Sequence, residues 1–145
     1  MTIRYSTVGI VGTGAMGRGI AQIAAQAGST VQLFDLNPEA CRQAHAAIAA
    51  QWDKLQDKGR IDAATADAYK TRLQTAASLG ELHNCDLVVE AAVERLDIKQ
   101  SLFAQLEDIV RPDAVLVTNT SSLSVTAIAA GLKRPAQFAG YHFFN

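Results

Sequence analysis

Three glycines, Gly12, Gly14 and Gly17, stand in the spacing G-x-G-x-x-G within the stretch GIVGTGAMGRG. In that spacing the first glycine allows a tight turn and the second lets the backbone approach a bound phosphate. The third lets a new helix pack close on the strand before it. The helix would point free N–H groups and the positive end of its dipole at a pyrophosphate, with Thr13, Ala15 and Met16 completing the cradle. Asp35 follows 18 residues past Gly17, at the end of a second apolar run. A carboxylate there can accept hydrogen bonds from ribose hydroxyls and would repel an added 2′-phosphate, which favours NAD over NADP. Leu36, Asn37 and Pro38 offer no arginine for such a phosphate, and Arg42 is a full turn further on. The competing reading is a purely structural strand–helix turn with Asp35 as a helix cap. A strand before, a helix after and a second strand ending in an acid all occur together here, and they favour the dinucleotide.

A second group of polar residues interrupts the apolar runs of the later half. Glu90 and Glu94 follow LVV, Asn119, Thr120, Ser121 and Ser122 follow VLVT, and His142 sits in FAGYHFFN. A histidine titrates near working pH, so it can take up a proton and return it. Serine and asparagine supply the donors that hold a hydroxyl in place. Read alone, His142 is more commonly a core or strand-end histidine making one hydrogen bond. Ser121 and Ser122 can cap the helix that follows, and Glu94 with Lys99 can form a surface pair. The convergence of strand ends favours a site role for Ser121 and His142 beside a nicotinamide, with Ser122 left as a cap. His45 and His83 stand in polar surroundings and read as solvated. No His, Cys or Asp grouping has metal-ligand spacing.

These residues need elements to position them. TVGIVG (7–12) reads as a buried strand, and Ala15 to Ala27 as a helix with Met16, Ile20, Ile23 and Ala27 on one face. TVQLFD (30–35) is a second strand. Asn37 is a plausible N-cap with Pro38 as the first helical residue of a long helix to about Gly59, carrying Cys41, Ala44, Ile48, Trp52 and Leu55 inward. A further helix spans 62–73 with Asp62 as N-cap, and QTAAS (74–78) is a short strand. DLVVEAAV (86–93) is a buried strand. A helix from Asp97 to Val110 follows, with Ile98, Leu102, Phe103, Leu106 and Ile109 inward. AVLVTN (114–119), a helix at 124–132 and a last strand at 138–144 complete the chain. Alternating strands and helices predict an α/β fold: a doubly wound, mostly parallel sheet of Rossmann type, helices on both faces, and a long helical insertion after the second strand.

Composition bounds the reading. A chain of 145 residues, 49% hydrophobic and 19% charged, reads as one domain. A net charge of −1 gives no basic surface for nucleic acid or anionic lipid. The run from residue 8 to 28 is broken by Arg18 and glycines, so no membrane span is expected. MTIRYST is too polar for a signal peptide, and Cys41 and Cys85 are far apart, which suits free thiols and a cytoplasmic location.

GIVGTGAMGRGIAQIAAQAG, DLVVEAAVERLDIKQSLFAQLE, TNTSSLSVTAIA and FAGYHFFN together resemble the 3-hydroxyacyl-CoA dehydrogenases, in order and over the whole chain. Other Rossmann hydroxyacid dehydrogenases share the first motif but not NTSSL followed by GYHFFN. The resemblance implies an NAD-dependent interconversion of 3-hydroxyacyl-CoA and 3-oxoacyl-CoA. It makes His142 the general base, Ser121 the serine touching substrate and cofactor, and Asn145 a residue near the nicotinamide. Glu94 and Lys99 match NAD contacts, and Asp35 the ribose carboxylate. Lys58 falls where the family has a lysine near the CoA nucleotide, whereas Gln51 replaces a family serine on the same helix. The family's histidine-pairing glutamate lies beyond HFFN. Its helical C-terminal domain, which closes over acyl-CoA and forms a homodimer, is expected outside residues 1–145. The alternative is a module that holds NAD without turnover.

Overall fold

The computed structural model describes residues 5–91, 95–120 and 122–141. Six strands form one parallel sheet in the order β3-β2-β1-β4-β5-β6. They are β1 (Thr7–Val11), β2 (Thr30–Phe34), β3 (Leu73–Thr75), β4 (Leu87–Glu90), β5 (Val115–Asn119) and β6 (Phe138–Tyr141). The order reverses at β1, so the carboxyl ends of β1 and β4 flank the switch point where ligands of open α/β sheets bind.

Residue type explains the sheet. Along β1, Val8 and Ile10 pack into one core and Val11 into the other. Val88 and Val89 of β4 divide in the same way, as do Leu33 and Phe34 of β2. Strands buried on both faces read as continuous apolar runs, which is what these segments are. The first core is closed by α4 (Leu96–Ile109) and α5 (Ser122–Ala130), through Phe103, Leu106 and Ile128. The rings of Phe103 and Phe138 meet edge to face at 4.9 Å. The second is closed by α1 (Ala15–Gln26) and α2 (Pro38–Asp57), through Ala21, Ala25, Cys41, Ile48 and Trp52. Burying each large apolar side chain contributes about 1.5–3 kcal/mol.

The expected long helical insertion after β2 is present, and it forms the crossover between β2 and β3. Asn37 caps α2, its Oδ1 accepting from the amides of Glu39 (3.0 Å) and Ala40 (3.4 Å), with Pro38 opening the first turn. Beyond α2, Gly59 takes φ +72° and turns the chain. Asp62 caps α3 (Ala63–Arg72) by accepting from the amide of Thr65 at 2.7 Å. The chain then enters β3, which pairs with β2 from Leu73 to Thr75. The strand therefore ends before Ala76, three residues short of the 74–78 expectation.

Two helix faces differ from the periodicity reading. In α1 the buried positions are Gly17, Ala21 and Ala25, while Ile23 is 66% exposed. The helix must approach the sheet closely at its first turn, and this selects the stripe of small side chains. In α4, Ile98 is 38% exposed, whereas Lys99 and Glu107 are buried. Glu107 accepts from the amides of Lys133 (2.8 Å) and Arg134 (2.6 Å), which satisfies a buried carboxylate. His45 is half-buried with its Nε2 3.0 Å from the carbonyl of Leu73, not solvated. No helix among the described residues is long and apolar enough to cross a membrane.

Candidate active site at the carboxyl edge of the sheet

Gly12 leaves β1 with φ +106°, in the left-handed region that glycine tolerates, and donates its amide to the carbonyl of Phe34 at 2.8 Å. A Cβ on Gly17 would lie 1.9 Å from the Gly12 carbonyl oxygen, so no other residue lets α1 begin here. Gly14 is the N-cap of α1, and a Cβ built there meets nothing within 4 Å. The amides of Ala15, Met16 and Gly17 have no intrahelical acceptor, as at every helix start. The cradle thus combines donors, dipole and open space where a pyrophosphate would lie.

Asp35, half-buried at the end of β2, faces that turn. Its Oδ2 accepts from the amide of Thr13 (3.0 Å) and from Thr13 Oγ1 (2.7 Å). Its Oδ1 accepts from the amide of Asn37 at 2.9 Å. The helix-cap role weighed for Asp35 belongs to Asn37. A cleft of about 620 Å³ opens beside Asp35, walled by Val11, Phe34 and Leu36 on the sheet side. From α4 it receives Asp97, Ser101 and Gln105, and the apolar Ile98 and Leu102. An apolar slot with a carboxylate at its rim suits an adenosine, and the exposure of Ile98 and Leu36 is the exposure of cleft walls.

Behind the strand ends lies a buried polar cluster that the sequence reading missed. Glu90 is fully buried and Lys99 is 3% exposed. Lys99 Nζ donates to Glu90 Oε1 at 2.8 Å and to the carbonyl of Asn119 at 3.3 Å, with Thr118 Oγ1 at 3.5 Å. Thr118 Oγ1 donates to the same Glu90 oxygen at 2.5 Å. Tyr141 OH lies 3.4 Å from the Glu90 carbonyl oxygen, and burial, aided by the Glu90 charge, pushes its phenol upward. Part of the signal was present, since Glu90 and Thr118 are polar residues within apolar strands, but the register that pairs them is a property of the fold. Lys99 is therefore not part of a surface pair. Asn119 Nδ2 reaches Met16 Sδ at 2.7 Å, which joins the glycine turn to the end of β5.

Gly12, Thr13, Gly14, Ala15, Met16, Gly17 and Asp35 all gather at one edge of the sheet. Lys58 is exposed at the C-terminal cap of α2, the end remote from Asp35, about 30 Å along the helix axis. Gln51, on the same helix, is exposed as well. Glu94, Ser121, His142 and Asn145 lie outside the described residues. The strands that lead to them end level, with Asn119 paired to Tyr141 and Val11 to Glu90.

Residues 7–145 match the family model described as 3-hydroxyacyl-CoA dehydrogenase, NAD binding domain. The chain is 44% identical over 145 residues to a 3-hydroxyadipyl-CoA dehydrogenase of Escherichia coli K12, matching all of this chain and 30% of that protein. It is 44% identical over 140 residues to a probable 3-hydroxybutyryl-CoA dehydrogenase of Deinococcus radiodurans, matching 94% of this chain and 49% of that one. Its fold superimposes with a TM-score of 0.92 on the crystal structure of a 3-hydroxybutyryl-CoA dehydrogenase from Escherichia coli K12, at 43% identity. That match covers 99% of this chain and 30% of the other. The chain thus spans half or less of the length of these relatives.

Proposed function

Because the chain belongs to the 3-hydroxyacyl-CoA dehydrogenase family as its NAD-binding domain, we propose that it serves the oxidation of 3-hydroxyacyl-CoA to 3-oxoacyl-CoA and the reverse reduction. The observation that carries this reading is the level ending of β1, β4, β5 and β6 beside the glycine turn. It supports a site where Ser121, next but one after Asn119, and His142, next after Tyr141, leave adjacent strands. When bound, NAD supplies the two-electron acceptor. His142 takes the proton of the 3-hydroxyl and returns it in the reverse direction. Ser121 and Asn145 hold the reacting oxygen and the nicotinamide end in register. The amides of Ala15, Met16 and Gly17 receive the pyrophosphate and Asp35 the adenosine ribose. Glu94 completes the cofactor contacts, and Lys99 serves the cofactor through the Asn119 carbonyl it holds. Lys58 meets the CoA nucleotide.

The relatives extend well beyond the matched segment, which supports a second, helical domain that closes over acyl-CoA and pairs two copies. Residues 1–145 are then the cofactor domain, and alone they bind NADH without turnover. A cytoplasmic location is consistent with two buried free thiols.

The test has two parts. This chain is titrated with NADH and then given acetoacetyl-CoA, with NADH absorbance followed; binding without consumption is expected. In the longer protein carrying this domain, His142→Ala is expected to abolish acetoacetyl-CoA-dependent NADH oxidation while NADH affinity stays within about twofold. Equal loss of both would reject the base assignment.

A further inference from the structure

The side chain of Thr13 is almost wholly buried, at 3% exposure, although it lies in the turn that faces the cofactor. Every polar atom of this residue is engaged. Its amide and its hydroxyl both donate to Asp35 Oδ2, at 3.0 and 2.7 Å, and its carbonyl accepts from Arg18 Nε at 3.0 Å. A carboxylate offers about four acceptor positions, two on each oxygen. Thr13 fills both on Oδ2, and the amide of Asn37 fills one on Oδ1 at 2.9 Å. One position on Oδ1 is left for a ligand, and its direction is set by three bonds. We infer that Thr13 is a specificity-determining positioning residue: its hydroxyl fixes the Asp35 carboxylate so that it accepts from a ribose hydroxyl and cannot turn aside for a 2′-phosphate.

The physical argument turns on freedom of rotation. Without the Thr13 hydroxyl, Asp35 keeps only the amides of Thr13 and Asn37, one on each oxygen, and its carboxylate is freer to swing its charge away from an incoming phosphate. The Thr13 hydroxyl removes that freedom, so a phosphorylated dinucleotide meets the full negative charge at short range. The same hold prepays the ordering of the acceptor for NAD, and a preorganised acceptor binds more tightly than one that must be ordered on binding.

This inference rests on NAD as the cofactor and on Asp35 as its ribose acceptor. The experiment titrates NADH and NADPH into the unmodified chain and into Thr13→Val, Thr13→Cys and Thr13→Ser, with thermal melts alongside. Valine keeps the shape and removes the donor, cysteine replaces it with a weak donor, and serine keeps the oxygen. Thr13→Val is expected to bind NADH roughly tenfold more weakly and to narrow the NADH-to-NADPH preference. Thr13→Ser is expected to restore both. If Thr13→Val melts below the assay temperature, Thr13→Cys carries the same comparison. In an Asp35→Asn background, Thr13→Val is expected to leave the preference unchanged, because the hydroxyl acts only through the carboxylate. Unaltered affinity and preference in Thr13→Val, or an equal change in Thr13→Ser, overturns the inference. An unmodified chain that binds no NADH overturns the cofactor reading beneath it.

Discussion

At Gly14 and Gly17 one missing methyl group does two different jobs. A Cβ on Gly17 would sit 1.9 Å from the Gly12 carbonyl, inside a backbone contact that cannot yield. Gly17→Ala is therefore expected to cost about 1–3 kcal/mol or more in urea unfolding and to abolish NADH binding with it. Gly14 has open space around it and an ordinary φ of −70°. Gly14→Ala is expected to change stability by no more than about 1 kcal/mol, the difference between a glycine and an alanine N-cap. It should still weaken NADH at least tenfold, because the methyl would occupy the approach to the phosphates. Melting and titration of the two variants separate a glycine needed by the fold from one needed by the ligand. Both were legible in the spacing of the motif. The clasp of Thr13 on Asp35 was not, because it depends on a side-chain contact across 22 residues of chain that no spacing encodes.

Among the elements, β4, β5 and α4 are tied by one buried ion pair. Glu90 holds Lys99 and Thr118 together where the two strands end, and Lys99 carries the bond into α4. Removing one partner leaves an uncompensated charge in the core. Lys99→Met is expected to lower unfolding free energy by about 3–5 kcal/mol, whereas the double variant Glu90→Leu with Lys99→Met should recover a large part of that loss. Urea denaturation of the two singles and the double closes the cycle. Strand existence and the two-sided burial of β1, β2, β4 and β5 followed from apolar runs, and the caps at Asn37 and Asp62 from residue type. The inward face of α1 did not follow, and that of α4 only in part: Phe103 and Leu106 are buried as expected, but Ile98 is not. Hydrophobic periodicity favours the largest apolar side chains, but close approach at Gly17 requires small ones. In α4, Ile98 serves the wall of a cleft while a lysine is drawn inside by Glu90.

For the molecule as a whole, the far edge of the sheet is set by charge. Arg111 pairs with Asp86, and Asp86 Oδ2 also accepts from the amide of Thr7 at 3.0 Å, which joins the starts of β1, β4 and β5. The Arg111 guanidinium holds the Asp86 carboxyl below its usual range; burial opposes it, and the Thr7 amide adds a smaller lowering effect. A carboxyl lowered in the folded state stabilises above its unfolded value and loses that contribution as pH falls through the lowered one. The melting temperature is therefore expected to fall below about pH 4, and Asp86→Asn to melt lower at pH 7 but to lose less between pH 5 and pH 3. Calorimetry across that range checks the sign. Burial also pushes the Cys85 thiol up to about 12, so it should resist alkylation at pH 8 until the chain is unfolded. The doubly wound, mostly parallel sheet was legible because alternating strands and helices admit few topologies; the strand order was not read from the sequence. The registers that bring Glu90 beside Thr118 and Asn119 beside Tyr141 were not, since sequence spacing does not set pairing between distant strands.

Trp52 is the single tryptophan of the chain, fully enclosed between α2 and its neighbours, with its Nε1 on Gln26 Oε1 at 3.0 Å and the ring of Tyr69 5.5 Å away. An indole in so dry a setting emits at the blue end of its range, and its emission overlaps the absorption band of the reduced nicotinamide. The molecule thus carries its own optical gauge. Bound NADH should quench Trp52 and brighten in return, and the red shift of the same indole should mark the moment the core opens to water.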